Sequence, residues 1–355
     1  MLPKHYTRIV LAERPKTDFT PTTFLRETVA FDLKPGPGEV LVRVDWISLD
    51  PAMRGWAGWP MEVVTYIPPV EIGAVMRSFG LGAVVEVGEG CELRTGDIVC
   101  GLTGLAEYAV MKEGERLQKI MAPESNPPGV QLLDFLGPLG IAGGFTAYFG
   151  LLDVAQIKAG ETLVVSGAAG QVGSLVCQIG KLYGAKVIGI AGTDEKCRWL
   201  SEELKIDAAL NYKSPSFRED FKDAVGYLDV FFDNVGGEIL NFAITRLKQG
   251  ARIALCGAIS TYNGLETKGI TSYMNLVMQR AKIEGFVVSD YSRRYPEALR
   301  DLSKWISEGR IIRRYHIIEG LENAPEALPL LFTGGNTGKL LVTIFLRPRR
   351  CYANS

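Results

Sequence analysis

The residues whose types and spacing best support chemistry are three glycines in the stretch Gly167-Ala-Ala-Gly-Gln-Val-Gly173. They follow the short apolar run Leu163 to Ser166, which predicts a buried parallel strand. Apolar residues at helical spacing come next, in Ser174 to Tyr183, and Lys186 to Ala191 is a second apolar strand. This unit is typical of a pyrophosphate site at a helix N-terminus, where N–H groups and the helix dipole favour negative charge. The pattern predicts dinucleotide binding; the alternative is an ordinary turn that needs glycine for positive φ.

The residues after the second strand indicate which dinucleotide is bound. In NAD sites a carboxylate at the end of that strand holds the ribose 2′-OH. Here the strand ends in small residues up to Thr193, and Lys196 follows. We therefore expect NADP(H), although Lys196 could also be a solvated lysine. Asp194 would repel a phosphate, and we expect it instead to cap a helix that begins near Glu195.

The elements that position this unit fall into two groups. Before it, short strands at roughly ten-residue spacing predict a small barrel-like β domain: Glu39 to Asp45, Leu81 to Val87, Asp97 to Cys100 and Leu105 to Val110. The late strand Gly338 to Phe345 is expected to return and pair with that domain.

The second group alternates strands with helices. Leu228 to Asp233, Arg252 to Cys256 and Ile283 to Val288 predict strands, whereas Ile239 to Lys248 and Pro296 to Glu308 predict helices. Alternation of this kind is typical of a doubly wound parallel sheet with helices on both faces. The fold class is therefore α/β.

The composition of the chain excludes several classes of function. The 355 residues, 47% apolar and 22% charged, predict a soluble protein of two domains. A net charge of -1 gives no field that would attract nucleic acid or an anionic membrane. The six cysteines show no C-x-x-C spacing, and the first residues lack the apolar core of a signal peptide. We therefore expect a soluble, cytoplasmic protein.

Motifs along nearly the whole chain carry a family resemblance. They are Pro37 to Arg43, Leu49 to Gly55, Gly143 to Tyr148, Ala168 to Gly173, Thr193 to Lys196, Asn211 to Lys213, Phe232 to Gly237, Cys256 to Tyr262, Glu319 to Asn323 and Asn336 to Lys339. The chain resembles the zinc-independent medium-chain dehydrogenases/reductases, in the leukotriene dehydrogenase/prostaglandin reductase group with plant alkenal double-bond reductases and bacterial curcumin reductase. The resemblance implies a GroES-like β domain (1–137 and 317–355), a Rossmann domain (138–316), NADPH and a homodimer.

The resemblance also implies which residues bind NADPH. Those at the pyrophosphate turn are Gly170, Gln171, Val172 and Gly173, and those near the 2′-phosphate are Thr193, Lys196 and Tyr212. Those that line the cofactor towards the nicotinamide are Asn234, Cys256, Gly257, Ala258, Ile259, Ser260, Tyr262, Phe286, Val287, Val288 and Asn336. Tyr212 could instead be a surface tyrosine, and Phe286 to Val288 a core strand.

A zinc site cannot be built from this sequence. The only histidines, His5 and His316, stand near the two ends, and the cysteines have no partners at ligand spacing. Hydride transfer must then go to a substrate that organic groups activate, such as an α,β-unsaturated ketone or aldehyde. Tyr262, at the position of the family's proposed active-site tyrosine, is expected to hydrogen-bond the enolate. The alternative is a tyrosine that only packs on the cofactor.

Residues of the β domain are expected to form the substrate pocket. The candidates are Ala52, Met53, Trp56 and Tyr66, although such residues are more often core. Many relatives carry a tyrosine where this chain has Ala52, a difference that removes a hydroxyl and bulk. The same site could serve a quinone reductase or an allylic-alcohol dehydrogenase. Outside enzymes, the alternative is an NADPH-binding protein comparable to lens crystallins.

Overall fold

The structure is a computed structural model that describes residues 2–59, 64–115, 117–120, 126–265 and 269–345. The chain divides into two compact units. Unit 1 comprises Met1–Leu136 and Tyr315–Ser355, and unit 2 comprises Gly137–Arg314.

The strands are numbered in chain order. They are β1 (His5–Leu11), β2 (Phe24–Ala30), β3 (Glu39–Ser48), β4 (Gly80–Val87), β5 (Ile98–Gly101), β6 (Tyr108–Lys112), β7 (Leu117–Ile120), β8 (Thr162–Val165), β9 (Lys186–Ala191), β10 (Ala208–Asn211), β11 (Leu228–Asp233), β12 (Leu247–Leu255), β13 (Lys282–Gly285), β14 (Tyr315–Glu319) and β15 (Lys339–Thr343).

The α-helices are α1 (Met53–Trp56), α2 (Thr146–Phe149), α3 (Gln171–Leu182), α4 (Asp194–Glu202), α5 (Phe217–Val225), α6 (Gly237–Ile244), α7 (Met274–Gln279), α8 (Tyr295–Ser307), α9 (Ala324–Ala327) and α10 (Leu330–Thr333). Short 3-10 or π-helical turns are Leu132–Leu136, Ile141–Phe145, Gly150–Val154, Ile259–Thr261, Val288–Arg294 and Leu321–Asn323.

Unit 1 is built on a seven-stranded sheet. Its order is β14-β15-β3-β4-β5-β7, with β6 also paired to β3, and β1 and β2 form a separate two-stranded sheet. The prediction that the late strand returns to the β domain is confirmed, because β15 pairs antiparallel with β3 and brings Leu341 opposite Ser48. Ile9, Ile47 and Leu340 lie in the hydrophobic core of this unit.

Unit 2 contains a six-stranded parallel sheet in the order β10-β9-β8-β11-β12-β13. The chain builds outward from β8 in one direction and then from β11 in the other. This is the doubly wound order, so the predicted α/β fold is confirmed. The switch point lies at the carboxyl ends of β8 and β11, where ligands of such sheets bind.

Several predicted segment bounds are wrong. The strand predicted from Leu105 begins only at Tyr108, because a tight turn places the Ala106 N–H on the Gly104 carbonyl. The helix predicted to Lys248 ends at Ile244, because buried Leu247 already pairs with Leu228 in the sheet. The strand predicted as Ile283 to Val288 ends at Gly285, before a 3-10 turn.

Over the described ranges, we find no helix with the length and apolar character needed to span a bilayer.

Candidate cofactor-binding site

The glycine turn after β8 needs glycine at two positions. Gly167 has a φ of +59°, in the left-handed region that disfavours a Cβ. A Cβ added to Gly173 would lie 2.3 Å from the carbonyl oxygen of Gly167, which is backbone and cannot move aside. The turn therefore holds the first turn of α3 closely against the end of β8.

The N-terminus of α3 has the features of a phosphate site. The helix begins at Gln171 after Gly170, which as N-cap has no side chain to bind the first N–H groups, and Val172 lies in the same turn. A Cβ on Gly170 would approach only the Gly167 oxygen, at 3.3 Å, so the space before the helix is open. Among the described residues, the Gln171 side-chain nitrogen is buried with no hydrogen-bond partner. An orphaned donor at a helix N-terminus fits an anionic ligand such as a pyrophosphate.

The helix after β9 is capped differently from our prediction. α4 begins at Asp194, and the Thr193 hydroxyl accepts the backbone N–H of Lys196 at 3.2 Å. The prediction that Asp194 caps the helix is wrong, because Thr193 has the extended backbone of an N-cap whereas Asp194 is already helical. The Asp194 carboxylate accepts instead from the side-chain amide of Asn211, at 2.7 Å.

Two lysines and a tyrosine gather near this cap. Tyr212 is 43% exposed, and a Cβ on Gly192 would lie 3.1 Å from its ring, so the ring stands over the end of β9. The Lys213 ammonium lies 5.7 Å from the centre of the Tyr212 ring. Burial, and then the nearby charge of Lys213, lower the pKa of Lys196 below that of an ordinary lysine. Two neighbouring cations of this kind are chemically suited to a phosphate group.

Sequence reasoning missed Lys213 as a candidate. It lies in the Asn211 to Lys213 motif, but only its neighbour Tyr212 was assigned a role. A second cation next to an assigned phosphate residue was the available signal.

Asp233, a second residue missed from the sequence, organises the switch point. Its buried carboxylate accepts the Ser166 hydroxyl at 2.6 Å and the backbone N–H groups of Val235 and Gly236. Burial raises the pKa of Asp233, while these donors oppose the shift. Asn234 is fixed in turn, since its side-chain amide donates to the Ser166 carbonyl at 2.7 Å. Asp233 therefore joins the carboxyl ends of β8 and β11.

The segment after β12 is tied to the same point. The N–H groups of Cys256 and Gly257 both donate to the Asp233 carbonyl, at 2.9 and 3.1 Å. Ile259 donates to the Asn234 carbonyl, and the Ser260 hydroxyl donates to that of Val235 at 2.6 Å. These bonds bring the predicted residues Asn234, Cys256, Gly257, Ile259 and Ser260 into one cluster of loops.

Burial raises the pKa of the Cys256 thiol to about 12, and the Asp233 charge adds to the shift. The thiol is therefore protonated at neutral pH and has little nucleophilic character.

Tyr262 lies within this cluster. Its phenol oxygen accepts the backbone N–H of Ala258 at 3.3 Å. A Cβ on Gly257 would come within 2.9 Å of that oxygen, so glycine leaves the space that the hydroxyl occupies. The 3-10 turn Ile259–Thr261 brings the ring back over the end of β12.

The predicted residues Phe286, Val287 and Val288 follow β13. They are half-buried rather than part of the strand, so the core-strand alternative is wrong for them. The Phe286 ring packs edge-on against Phe232, with ring centres 6.2 Å apart. A Cβ on Gly150 would collide with the Phe286 ring at 2.4 Å.

The remaining predicted residues lie in unit 1. Asn336 is half-buried, and its amide donates to the Gly338 carbonyl at 3.1 Å. Met53 and Trp56 belong to the hydrophobic core, Ala52 packs against that core, and Tyr66 is 65% exposed. Their part in substrate binding stays a prediction.

Within the parts of the chain that the structure describes, no group of three or more His, Cys, Asp or Glu side chains could hold a metal ion.

Two family models match the chain. One, described as the N-terminal domain of oxidoreductase, matches residues 7–120, and another, described as zinc-binding dehydrogenase, matches residues 172–304.

Known proteins match over almost the full length. The NADPH-dependent curcumin reductase of Escherichia coli (strain K12) is 39% identical, over 95% of this chain and 96% of the relative. Prostaglandin reductase 1 of Bos taurus is 42% identical, over 86% of this chain and 89% of the relative. The crystal structure of CurA in complex with NADPH from Vibrio vulnificus matches with a TM-score of 0.87 and 37% identity, covering 96% of this chain and 100% of that one. The chain belongs to the NADP-dependent oxidoreductases of the zinc-independent medium-chain dehydrogenase/reductase family, in the group of the curcumin and prostaglandin reductases.

Proposed function

We propose that this protein uses NADPH to reduce the C=C bond of α,β-unsaturated ketones and aldehydes, without a metal. The observation that carries the proposal is the position of the Tyr262 hydroxyl, held by Ala258 at the carboxyl end of β12. The names of the relatives, a curcumin reductase and a prostaglandin reductase, support this substrate class.

We assign residues of unit 2 to two parts of the cofactor, the pyrophosphate and the 2′-phosphate. Gly170 to Gly173, with the orphaned amide of Gln171, would hold the pyrophosphate. Lys196, Lys213 and Tyr212 would hold the 2′-phosphate, which distinguishes NADPH from NADH. When bound, NADPH supplies a hydride for the β-carbon of the substrate.

The protein must stabilise the negative charge that develops on the substrate oxygen as the hydride is transferred. A phenol can accept one hydrogen bond and donate its own proton in another. Tyr262 accepts from the Ala258 N–H, and we assign its O–H to the enolate oxygen. One such donor is worth roughly 3–4 kcal/mol of transition-state stabilisation. The proton that completes the saturated carbonyl then comes from Tyr262 or from water.

The residues of the chain support the metal-free route. A catalytic zinc needs about three protein ligands in one place, whereas the sequence has only two histidines, His5 and His316, and no group of three or more His, Cys, Asp or Glu side chains in the described parts of the chain could hold a metal ion. A hydrogen-bond donor such as Tyr262 must then replace a Lewis acid.

The reaction is tested by incubating the protein with NADPH and a panel of enones, enals, quinones and allylic alcohols, followed by product mass analysis. We expect saturated ketones and aldehydes from the enones and enals. Turnover of quinones alone would refute C=C reduction. Tight NADPH binding without any turnover would refute the enzymatic role.

We further propose that the protein is a homodimer that forms through unit 2. On α7 and at its N-cap, four apolar side chains are 49–61% exposed: Tyr273, Met274, Val277 and Met278. β13 is the last strand at that end of the described sheet. Exposed apolar patches and open strand edges are features of association surfaces. Light scattering should give twice the chain mass for the native protein and a monomer for Val277→Glu. Leu25→Glu, an exposed site in unit 1, is the control and should stay dimeric.

A further inference from the structure

A buried ion pair lies in unit 1. The Lys339 ammonium is 2.5 Å from one carboxylate oxygen of Asp50, and the two side chains are 1% and 7% exposed. The Ser48 hydroxyl donates to the other oxygen of Asp50, and the Leu49 carbonyl lies 3.5 Å from the ammonium.

The surroundings of this pair are apolar. The neighbours of Asp50 and Lys339 along the chain, Leu49 and Leu340, are both core residues, and so is Met53. Placing two charges in such a core carries a desolvation cost that their attraction only partly offsets, and apolar replacements of similar volume are often as stable. Fold stability alone therefore does not account for the pair. A buried pair with satisfied hydrogen bonds does fix one relative position of the two segments that carry it.

The two segments each carry predicted site residues. The backbone carbonyl of Asp50 accepts the N–H of Met53, so Asp50 begins the turn that holds Ala52 and Met53. Lys339 opens β15 directly after Gly338, whose carbonyl binds the Asn336 amide. Gly338 has a φ of +68°, so the backbone between Asn336 and Lys339 has a conformation that few other residues adopt.

We propose that Asp50 and Lys339 are positioning residues, which hold the Ala52–Met53 turn at a fixed distance from Asn336. The inference rests on the proposed function and on the family resemblance, which predicts that the Ala52–Met53 turn lies at the substrate pocket and that Asn336 lines the nicotinamide. Displacements of about 1 Å between reacting groups can cost up to 10²-fold in rate. The pair acts on the rate of reduction through these neighbours rather than by touching the reacting atoms.

The test is the double variant Asp50→Asn/Lys339→Met, which removes both charges and approximately keeps both volumes. We expect its Tm to stay within about 5 °C of the native value. We expect kcat for an enone to fall by roughly 10-fold or more. The emission of bound NADPH should also change, because it reports the surroundings of the nicotinamide. The Kd for NADPH should change little, since the groups assigned to its phosphates lie in unit 2.

Two further variants complete the design. Glu27→Gln removes the half-exposed Arg8–Glu27 pair of unit 1 and should change neither kcat nor NADPH emission. Ser48→Ala removes only the hydroxyl bond to Asp50, and should lower kcat by about 3-fold with the fold intact.

The proposal is overturned if the folded double variant keeps native kcat and native NADPH emission. It is equally overturned if the double variant loses stability while each folded molecule keeps its kcat, because the pair would then be structural only. If the double variant does not fold, unchanged kcat and emission in Ser48→Ala overturn it. If the native protein reduces no enone, the proposed function fails, and NADPH emission with Tm still decides the role of the pair.

Discussion

Gly257 and Tyr262 are in a steric relationship that only glycine permits: a Cβ at residue 257 would lie 2.9 Å from the tyrosine oxygen. That oxygen is the end of a side chain that can rotate away. We therefore expect Gly257→Ala to move the phenol from its bond with Ala258 while the fold stays intact. Activity on enones should fall by roughly 10-fold or more, with little change in Tm. In the double variant Gly257→Ala/Tyr262→Phe, activity should be little lower than in Tyr262→Phe alone, because both changes act through the same hydroxyl. Additive losses of activity would contradict this coupling between the two residues.

Replacing Gly170 by alanine is expected to weaken NADPH binding, whereas replacing Gly173 by alanine is expected to lower stability. At Gly173 the new Cβ meets backbone at 2.3 Å, so Gly173→Ala should lower the free energy of unfolding by about 1–3 kcal/mol. At Gly170 the nearest atom is 3.3 Å away and φ is -82°, so the fold should tolerate Gly170→Ala. Its methyl group would instead enter the space assigned to the pyrophosphate and raise the Kd for NADPH. Denaturant titrations and NADPH binding curves of both variants test this; equal effects on stability would contradict it.

The two lysines near Tyr212 should contribute unequally to the choice of cofactor. Lys196 is half-buried, so its bond to a phosphate is less screened, whereas Lys213 is exposed. Lys196→Met should raise the Kd for NADPH by roughly 10- to 10²-fold. Lys213→Met should raise it by about 2- to 5-fold. Neither should change the Kd for NADH, which has no 2′-phosphate; parallel titrations check this, and an equal loss for both cofactors would refute the assignment.

The depressed pKa of Lys196 predicts a pH dependence of cofactor choice. Burial and Lys213 favour the neutral amine, so Lys196 loses its proton below the ordinary lysine value of 10.5. The 2′-phosphate is a dianion above about pH 7. From there, the preference for NADPH over NADH should hold until the pH reaches the pKa of Lys196, and then decline. Lys196→Met should give a flat ratio over the same range, and a native ratio that stays constant up to pH 10.5 would contradict the prediction.

Helices and strands that are specified by neighbouring residues could be predicted from the sequence. The apolar run before Gly167, the glycine turn and the helix after it specify β8 and α3, because each signal lies within a few residues. The helix cap shows the limit of this approach. Thr193 and Asp194 are both good cap residues, and only the backbone conformation of Thr193 decides between them.

Other features depend on long-range contacts and could not be derived. The sequence indicates only that Asp233 ends a strand. Its role in joining two strand ends depends on its hydrogen bond with Ser166, which lies 67 residues earlier in the chain. Lys339 and Asp50 are 289 residues apart, and nothing in either motif indicates that the two charges pair. Leu247 carries helix-compatible spacing, but its pairing with Leu228 places it in the sheet.

The measurement that tests the central claim most directly is the rate of enone reduction by Tyr262→Phe, with product mass and NADPH binding determined in parallel. The account predicts a saturated carbonyl product from the native protein, a rate lower by about 10²-fold or more in the variant, and a Kd for NADPH that is nearly unchanged. The variant retains the ring and removes only the hydroxyl, so a loss of rate reports the hydrogen bond. A variant that reduces enones at the native rate would contradict the assignment of Tyr262 as the donor to the enolate.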